Sequence, residues 1–204
     1  IIGFGSIGQQ HYQAMKNTGI FKKIYILSRH YKNENSILKL EDIEKIKPDL
    51  VIICSETSKH FNQLKYIESK LKNKIILVEK PIFTKKFKFT IKNNKVFVGY
   101  NLRYDPVLQY LKKILKNKNI LITNITCTSY LPNWRKRDYK KLYSASKLKG
   151  GGVHLDLSHE IDYANWIFNN LKKIDLRMKK LSNLKINSYD YTQLICTSNK
   201  SKLL

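Results

Sequence analysis

The sequence predicts an α/β fold in two parts: a parallel sheet with crossover helices over residues 1–100, then an α+β domain with a mostly antiparallel, open sheet over residues 101–204. Two observations predict it. Strand and helix signals alternate through the first hundred residues, as a parallel sheet requires. Beyond them, stretches that alternate like half-buried strands accompany two helical segments. Because the chain starts inside a strand and no closing element precedes residue 204, we expect a piece of a longer protein whose second sheet continues further.

The predicted elements of the first part are short and apolar. A first strand ends at a glycine-rich turn that leads into a helix, and residues 23–27 form the second strand. Residues 50–54 have the length of a buried strand. Residues 58–71 form a helix, because apolar side chains recur there at intervals of three and four residues. The remaining predicted elements are strands at residues 37–40, Ile75–Val78 and 96–98, and a helical turn at residues 41–44.

The second part opens with a helix start. Asp105 is a preferred N-cap residue, Pro106 suits the first helical position, and apolar residues follow at helical spacing. An Arg-, Lys- and Tyr-rich loop covers residues 132–149, and three glycines then lead into an amphipathic helix that ends near Phe168. The predicted strands of this part are residues 120–130, 176–181 and 189–197.

Charge and composition restrict the class of partner. The formal net charge is +24, from 39 Lys and Arg against 15 Asp and Glu. The lysines are spread over the whole chain beside abundant Asn and Ile, which share A/T-rich codons. Genome composition therefore accounts for the charge, and we expect no specific nucleic-acid partner. No apolar run approaches the ~18 residues of a membrane helix and no signal peptide is visible, so we expect no membrane association.

The three cysteines predict buried thiols in a reducing compartment. Cys54, Cys127 and Cys196 are widely spaced, with no CxxC pair and no histidine at metal-ligand spacing. Thiols of this kind behave as small hydrophobic side chains. We therefore expect a cytoplasmic protein with no metal site.

The glycine turn at the start of the chain predicts a cofactor. Gly3-x-Gly5-x-x-Gly8 follows a β-branched strand start, the arrangement of a dinucleotide-binding Rossmann unit. Gly3 permits the turn, Gly5 lets the backbone approach a pyrophosphate, and Gly8 lets the helix pack on the strand. The helix N-terminus adds N–H groups and a partial positive charge. The predicted cofactor-binding residues here are Gly3, Phe4, Gly5, Ser6, Ile7 and Gly8; the alternative is a plain glycine-rich turn.

The end of the second strand predicts which dinucleotide is bound. An acidic residue at this position would bind the ribose diol of NAD, but Ser28 and Arg29 stand there, about 20 residues past the glycines. A hydroxyl followed by a guanidinium suits a 2′-phosphate, which Arg grips in a bidentate manner. NADP is therefore the preferred cofactor, with NAD as the alternative if Arg29 merely stacks on adenine.

Three further segments follow the glycine turn: Glu79-Lys80-Pro81, then residues 99–106 (GYNLRYDP), then residues 150–162 (GGGVHLDLSHEID). Together the four segments resemble the glucose–fructose oxidoreductase/inositol dehydrogenase (Gfo/Idh/MocA) family over essentially the whole chain. The resemblance implies a Rossmann domain that binds NAD(P) and a C-terminal domain that covers the nicotinamide and holds a sugar-like substrate. It also implies a homo-oligomer in the full-length protein.

The resemblance assigns roles in the first domain. Lys80 would lie at the carboxyl end of a central strand, beside the nicotinamide ribose, and polarise the reacting oxygen of the substrate. The resemblance also makes Glu79, Lys80 and Pro81 cofactor-binding residues. Glu79 would pair with it, and Pro81 would fix the turn through a cis bond, which X–Pro bonds tolerate. An isolated Glu-Lys pair beside a turn proline would instead be a surface feature. The turn beneath the dinucleotide would be formed by Ser55, Thr57 and His60, with His60 in a structural role.

In the second domain, Asp156, His159 and Asp162 are three residues apart and are predicted to lie along one face of one helix. His159 suits the proton acceptor of a dehydrogenation, since imidazole titrates near neutral pH, and Asp156 would orient it or bind a neighbouring hydroxyl. Many family members place the acid four residues before the histidine, whereas a branch with a Leu-Ser-His-Glu segment shares the spacing seen here. The alternative is a capping and salt-bridge cluster.

Substrate contacts are predicted on both sides of the loop at residues 132–149. Arg103, Tyr104, Trp134, Arg135 and Asp162 would hold a sugar ring and an acidic group; the alternative is a solvated basic loop. The predicted function is NAD(P)-dependent oxidation or reduction of a sugar derivative, such as a nucleotide-linked or acidic sugar of a surface-glycan pathway. The alternative is a non-catalytic sensor or regulator that binds NAD(P) or a sugar on the same fold.

Overall fold

The computed structural model describes residues 1–199, the backbone of residues 201–203, and Leu204. The chain divides into two compact units, Ile1–Gly99 and Tyr100–Leu204, each with its own apolar core. The predicted fold class is confirmed: a parallel Rossmann sheet is followed by a mixed helix and strand unit with an antiparallel pair near the C-terminus.

The N-terminal unit contains one parallel sheet. Its strands are β1 (Ile26–Leu27), β2 (Ser36–Ile37), β3 (Leu50–Ile53), β4 (Ile75–Val78) and β5 (Lys95–Val98). β1 pairs with β2, and β4 lies between β3 and β5. Ile2 joins the two groups, because it pairs in parallel with Leu27 of β1 and Ile53 of β3. The order across the sheet is therefore β2, β1, Ile2, β3, β4, β5.

This order places a topological switch point at Ile2. The strands that follow Ile2 in the chain, β1 and β2, lie on one side of it in the sheet. The later strands β3, β4 and β5 lie on its other side. Ligands of open α/β sheets bind beyond the carboxyl ends of the strands at such a point. The glycine turn begins directly after Ile2 and therefore lies there.

Three helices connect these strands: α1 (Ser6–Thr18), α2 (Ile43–Ile46) and α3 (Thr57–Lys70). Leu64 and Ile67 of α3 are fully buried, as the spacing of apolar residues predicts. They pack against the apolar strands, so one face of the helix closes the core. The other buried members of this core are Ile2, Ile43, Val51, Ile53, Leu71, Ile76 and Val78.

The C-terminal unit has two strand pairs and three helices. Its elements are α4 (Pro106–Ile114), β6 (Ile120–Ile122), α5 (Val153–Asp156), α6 (His159–Phe168), β7 (Lys172–Lys179), β8 (Tyr191–Thr197) and β9 (Ser201–Leu203). β7 and β8 are antiparallel, whereas β6 and β9 are parallel. Ala164, Ile167 and Phe168 of α6 form the centre of the core, and Leu108 of α4 packs against them. No helix in the described part of the chain is long and apolar enough to span a bilayer.

Several strand predictions differ from the structure. Of residues 23–27 only Ile26–Leu27 form a strand, and the strand expected at residues 176–181 is β7, Lys172–Lys179. Of residues 120–130, only Ile120–Ile122 form a strand, because the register with β9 ends at Ile122. Of residues 37–40, only Ile37 lies in a strand, and Leu38 is 83% exposed. The carboxylate of Asp42 accepts the backbone N–H groups of Leu38 and Lys39 and turns the chain away from the sheet into a 3₁₀ turn.

Candidate active site

The glycines of the first turn have different structural roles. Gly3 has φ +90° in the left-handed region, and a Cβ there would lie 2.7 Å from the Ser55 nitrogen. A Cβ at Gly8 would lie 2.3 Å from the Gly3 oxygen, so α1 can pack on the strand only without one. Gly5 has φ −73° and open space around its Cβ position. The fold therefore needs Gly3 and Gly8, whereas the space at Gly5 is available to a bound group.

The start of α1 has neither a capping side chain nor an acidic residue that would compete with a bound anion. Gly5 is its N-cap residue. The Phe4 ring is packed against Tyr31, with ring centroids 4.2 Å apart, and against the edge of Tyr12. The turn thus presents backbone rather than the Phe4 side chain, and the cradle at Gly5 fits a pyrophosphate.

Ser28 and Arg29 follow β1 on the same edge of the sheet. The Ser28 hydroxyl accepts the backbone N–H of His30 at 3.3 Å, which shapes the turn. Arg29 is exposed. An exposed guanidinium at this edge is placed for an anionic group near the glycine turn.

The turn after β3 is tied to helix α3. The Ser55 hydroxyl lies 2.6 Å from Oε1 of Gln63, a partner that the sequence analysis did not identify. Thr57 is buried and begins α3. His60 is 1% exposed, and burial lowers its pKa although its contacts with backbone carbonyls oppose that effect. Ser55, Thr57 and His60 therefore fix the turn after β3 against helix α3.

The Glu79-Lys80-Pro81 segment follows β4, and its Lys80–Pro81 bond is cis, as expected. Nε2 of His11 lies 2.7 Å from Oε1 of Glu79, so the carboxylate is held by α1. Glu79 also accepts the Lys80 backbone N–H at 3.3 Å. A Cβ at Gly99 would lie 2.8 Å from the same carboxylate. Lys80 itself is half-buried at the carboxyl end of the strand.

The sequence analysis did not identify His11 as a partner of Glu79. Its position three residues after Gly8 places it one turn along α1 from the glycines, which is the available sequence signal. The pairing itself depends on how α1 packs on the sheet, because the two residues are 68 positions apart.

The prediction that a single helix carries Asp156, His159 and Asp162 is wrong. The chain forms α5, which ends at Asp156, and α6, which begins at His159, with a non-helical Leu157 between them. The Asp156 carboxylate is buried and accepts the Ser144 hydroxyl and the Gly152 backbone N–H, both at 3.1 Å. It therefore caps its own short helix and anchors the glycines to the preceding loop.

His159 lies at the start of α6. The Tyr100 ring meets it edge-on, with centroids 5.7 Å apart. Burial raises the pKa of the Tyr100 hydroxyl, which keeps it protonated as a hydrogen-bond donor near neutral pH. The sequence analysis placed Tyr100 in a family segment but did not identify it as a neighbour of the histidine.

Two predicted substrate residues bind each other. Arg103 forms a bidentate pair with Asp162, with Nε 2.8 Å from Oδ2 and Nη2 in contact with Oδ1. The pair joins the segment before α4 to α6, since Arg103 lies three residues before α4 begins and Asp162 lies in α6. Tyr104, by contrast, is 81% exposed. The Arg103–Asp162 pair is thus a structural link within the C-terminal unit.

Trp134 and Asp156 both line a cleft of about 400 Å³ in the C-terminal unit. Its walls are largely apolar and include Tyr130, Tyr189 and Tyr191. The indole N–H of Trp134 donates to the Ser129 hydroxyl, which fixes the ring. Arg135 follows Trp134 along the chain, and its guanidinium Nη1 donates to the Trp134 carbonyl at 2.7 Å. An aromatic, mostly apolar cleft with a few polar groups is typical of small-molecule sites.

The N-terminal unit is similar in sequence to a known family. Residues 1–92 match the Gfo/Idh/MocA profile, described as an oxidoreductase family with an NAD-binding Rossmann fold. The uncharacterized oxidoreductase YrbE of Bacillus subtilis (strain 168) is 28% identical over 187 residues, which cover 82% of this chain and 52% of the relative. The chain therefore spans about half the length of this curated relative.

Solved structures share the fold of both units. WlbA dehydrogenase from Bordetella pertussis, solved with NADH and UDP-GlcNAcA, superposes with a TM-score of 0.78 at 14% identity, covering 99% of this chain and 67% of that one. Myo-inositol 2-dehydrogenase from Lactobacillus plantarum gives 0.73 at 17% identity, with 99% and 66% covered. The match of residues 1–92 agrees with the family resemblance carried by the four sequence segments: this part of the chain is similar to the NAD-binding oxidoreductases of the Gfo/Idh/MocA family.

Proposed function

We propose that the protein moves a hydride between C4 of the nicotinamide of NAD(P) and a carbinol or carbonyl carbon of a sugar derivative. The observation that carries the proposal is the open Cβ position of Gly5 at the switch point of the sheet, in the same unit as Glu79-Lys80-Pro81. A glycine that the fold does not need is explained by a ligand that approaches the backbone closely.

The cofactor supplies the hydride acceptor or donor, and the residues of this chain supply binding and proton chemistry. The backbone N–H groups at the start of α1 hold the pyrophosphate. Lys80 binds the reacting oxygen of the substrate through its ammonium and stabilises the negative charge that develops there. His159 takes the hydroxyl proton during oxidation and returns it during reduction. Asp156 accepts the Gly152 backbone N–H and so positions the glycines before α5. We also propose that it orients His159 or binds a neighbouring hydroxyl.

NADP is the proposed preference because of Arg29. The residue is exposed at the end of β1, where the ribose of the adenosine half binds in Rossmann folds. A guanidinium there forms bidentate hydrogen bonds to a 2′-phosphate, whereas NAD needs a carboxylate for its ribose diol.

A nucleotide-linked or acidic sugar is the proposed substrate class. Trp134 and neighbouring aromatic residues line the cleft of the C-terminal unit, and cationic residues are abundant in residues 132–149. Aromatic rings stack on sugar faces or bases, and Arg or Lys bind carboxylate and phosphate groups. The WlbA structures were solved with UDP-GlcNAcA, a ligand that combines these groups.

The reaction is tested with the purified protein, NADP⁺ or NAD⁺, and either UDP-GlcNAcA or myo-inositol, with nicotinamide absorbance as the readout. We expect turnover of the nucleotide sugar, and a loss of about a hundredfold or more in kcat for Lys80→Met and His159→Asn while NADPH affinity is retained. Activity on the neutral polyol alone would overturn the substrate class. Variants as active as the wild type would overturn the catalytic roles of Lys80 and His159. Wild type that binds NADPH but turns over neither compound would favour a cofactor-binding sensor.

The cofactor preference is tested by comparing NADPH and NADH affinities in wild type and Arg29→Ala. We expect Arg29→Ala to weaken NADPH binding by about tenfold or more, equivalent to about 1.4 kcal/mol, and to leave NADH binding nearly unchanged. His30→Ala, which changes the neighbouring exposed side chain, is the matched control. An equal loss for both dinucleotides would contradict the 2′-phosphate role and indicate that Arg29 stacks on adenine.

A further inference from the structure

His60 lies between the two loops that follow β3 and β4. Its ring is 1% exposed and belongs to α3. Nε2 lies 3.0 Å from the Ser55 carbonyl oxygen, in the loop after β3. Nδ1 lies 3.2 Å from the Pro81 carbonyl oxygen and 3.3 Å from that of Ile82, in the loop after β4.

The imidazole is suited to joining these loops. Both loops extend beyond the carboxyl ends of adjacent parallel strands, where backbone groups have no partners from the sheet. Burial lowers the pKa of His60, and a neutral ring donates from one nitrogen at a time. With the proton on Nδ1, the tautomer that the clamp requires, the ring donates to the loop after β4 and fills the space between the two loops.

A second histidine holds the other side of the same segment. Glu79, which precedes Lys80, pairs with His11 of α1 at 2.7 Å, and Pro81, which follows Lys80, faces His60 of α3. The residues before and after Lys80 are therefore each held by a histidine from a different helix. The main chain at Lys80 has little freedom to shift toward or away from the sheet edge.

We propose that His60 and His11 form a clamp that positions Lys80, His60 through the Pro81 carbonyl and His11 through the Glu79 carboxylate. The catalytic benefit rests on the proposed function, whereas the clamp itself is a statement about structure. A catalytic side chain is effective only when its supporting groups fix it, and displacement by about 1 Å can cost about a hundredfold in rate.

The clamp is tested on Lys80 itself, without a substrate. Acetic anhydride labels each lysine at a rate that depends on its exposure and basicity, and mass spectrometry reads the rate at each position. In His60→Phe, which keeps a buried ring but cannot donate, we expect the labelling rate of Lys80 to change at least threefold, with the exposed Lys72 unchanged. His60→Gln retains an N–H donor and should restore most of the wild-type rate.

Hydrogen–deuterium exchange of the same variants locates the change. We expect faster exchange in His60→Phe confined to the loops after β3 and β4, with the C-terminal unit unaffected. Ser69→Ala removes an exposed hydrogen bond on the same helix and is the matched control. If His60→Phe does not fold, His11→Ala carries the test, with His11→Gln as the variant that retains an N–H donor on that side.

The outcomes separate the clamp from the proposed reaction. Unchanged labelling of Lys80 in folded His60→Phe and His11→Ala overturns the clamp, whatever the activity. Changed labelling supports the clamp. If Lys80→Met is also as active as wild type on UDP-GlcNAcA, the clamp stands and the catalytic role of Lys80 fails.

Discussion

At the residue scale, buried carboxylates of the N-terminal unit are held by hydrogen-bond donors distant in sequence. Glu68 of α3 is buried and accepts the backbone N–H groups of Lys92 and Asn93, both at 2.6 Å, and the Asn94 amide at 2.7 Å. Burial alone would raise the pKa of Glu68, but these hydrogen bonds outweigh it and hold the pKa below its ordinary value. The carboxylate thereby fixes the chain that leads into β5.

Glu68→Gln should therefore destabilise the protein by about 2 kcal/mol at pH 7, because hydrogen bonds to a charged acceptor are lost. Since the pKa is depressed in the folded state, the stabilisation is fully present above the unfolded value, and it disappears as pH falls through the folded value. Urea unfolding of both proteins at pH 7 and at about pH 3 measures this difference.

Glu41→Gln, at an exposed position, is the control and should change the free energy of unfolding by less than about 0.5 kcal/mol. A difference between Glu68→Gln and wild type that grows as the pH falls would contradict the assigned pKa direction.

The location of the glycine turn and of the Glu79-Lys80-Pro81 segment after strands could be predicted from sequence, because such segments have particular residue types at fixed spacing. The side chains that contact these residues could not be predicted. His11 is 68 positions from Glu79, and Arg103 is 59 positions from Asp162. Such pairs follow from the packing of whole elements, which no local pattern encodes.

At the element scale, helix α4 shows a start signal that the structure bears out. Oδ1 of Asp105 accepts the backbone N–H of Val107 at 2.9 Å and that of Leu108 at 3.1 Å, and Pro106 occupies the first helical position. These contacts satisfy N–H groups that would otherwise lack an intrahelical partner.

Asp105→Ala should cost about 1 kcal/mol of stability, because the N-cap acceptor is lost. Asp105→Asn keeps an oxygen acceptor and should cost only a few tenths of that. Chemical unfolding of the three proteins gives the comparison. Equal losses in both variants would show that the charge of Asp105, rather than its capping hydrogen bonds, stabilises the helix.

The bounds of the long helix α3 were predicted to within a residue, whereas breaks within helices and the ends of strands were not predicted. The helix expected at residues 58–71 is Thr57–Lys70. The helix expected after the three glycines is divided at Leu157, whose φ of −104° and ψ of 37° lie outside the helical region. Periodicity of apolar side chains does not reveal such a break in the backbone.

At the scale of the whole molecule, the net charge of +24 predicts adhesion to polyanions without sequence recognition. The protein should bind duplex DNA at low salt and lose roughly a hundredfold or more in affinity between about 50 and 200 mM salt, because binding depends on counterion release. Fluorescence anisotropy with two duplexes of unrelated sequence measures both properties. Affinity that persists at physiological salt and differs between the duplexes would contradict this account.

The order of strands around Ile2 links fold and function at this scale. The strand order of the parallel sheet reverses at Ile2, and such a switch point creates a ligand-binding edge. The glycine turn lies at this edge. The alternation of strands and helices in the sequence predicted this edge. The short strands β1 and β2 were less predictable, because hydrogen bonds in the adjoining turns rather than apolar spacing set their ends.

The most direct test of dinucleotide binding at the glycine turn is a titration of wild type and Gly5→Ala with NADPH and NADH, followed by nicotinamide fluorescence. Gly5 has an ordinary φ and no atom near its Cβ position, so the variant should fold with a free energy of unfolding within about 1 kcal/mol of wild type. The account predicts that wild type binds NADPH and that Gly5→Ala loses about tenfold or more in affinity. Folded wild type that binds neither dinucleotide, or Gly5→Ala that binds as tightly as wild type, would contradict it.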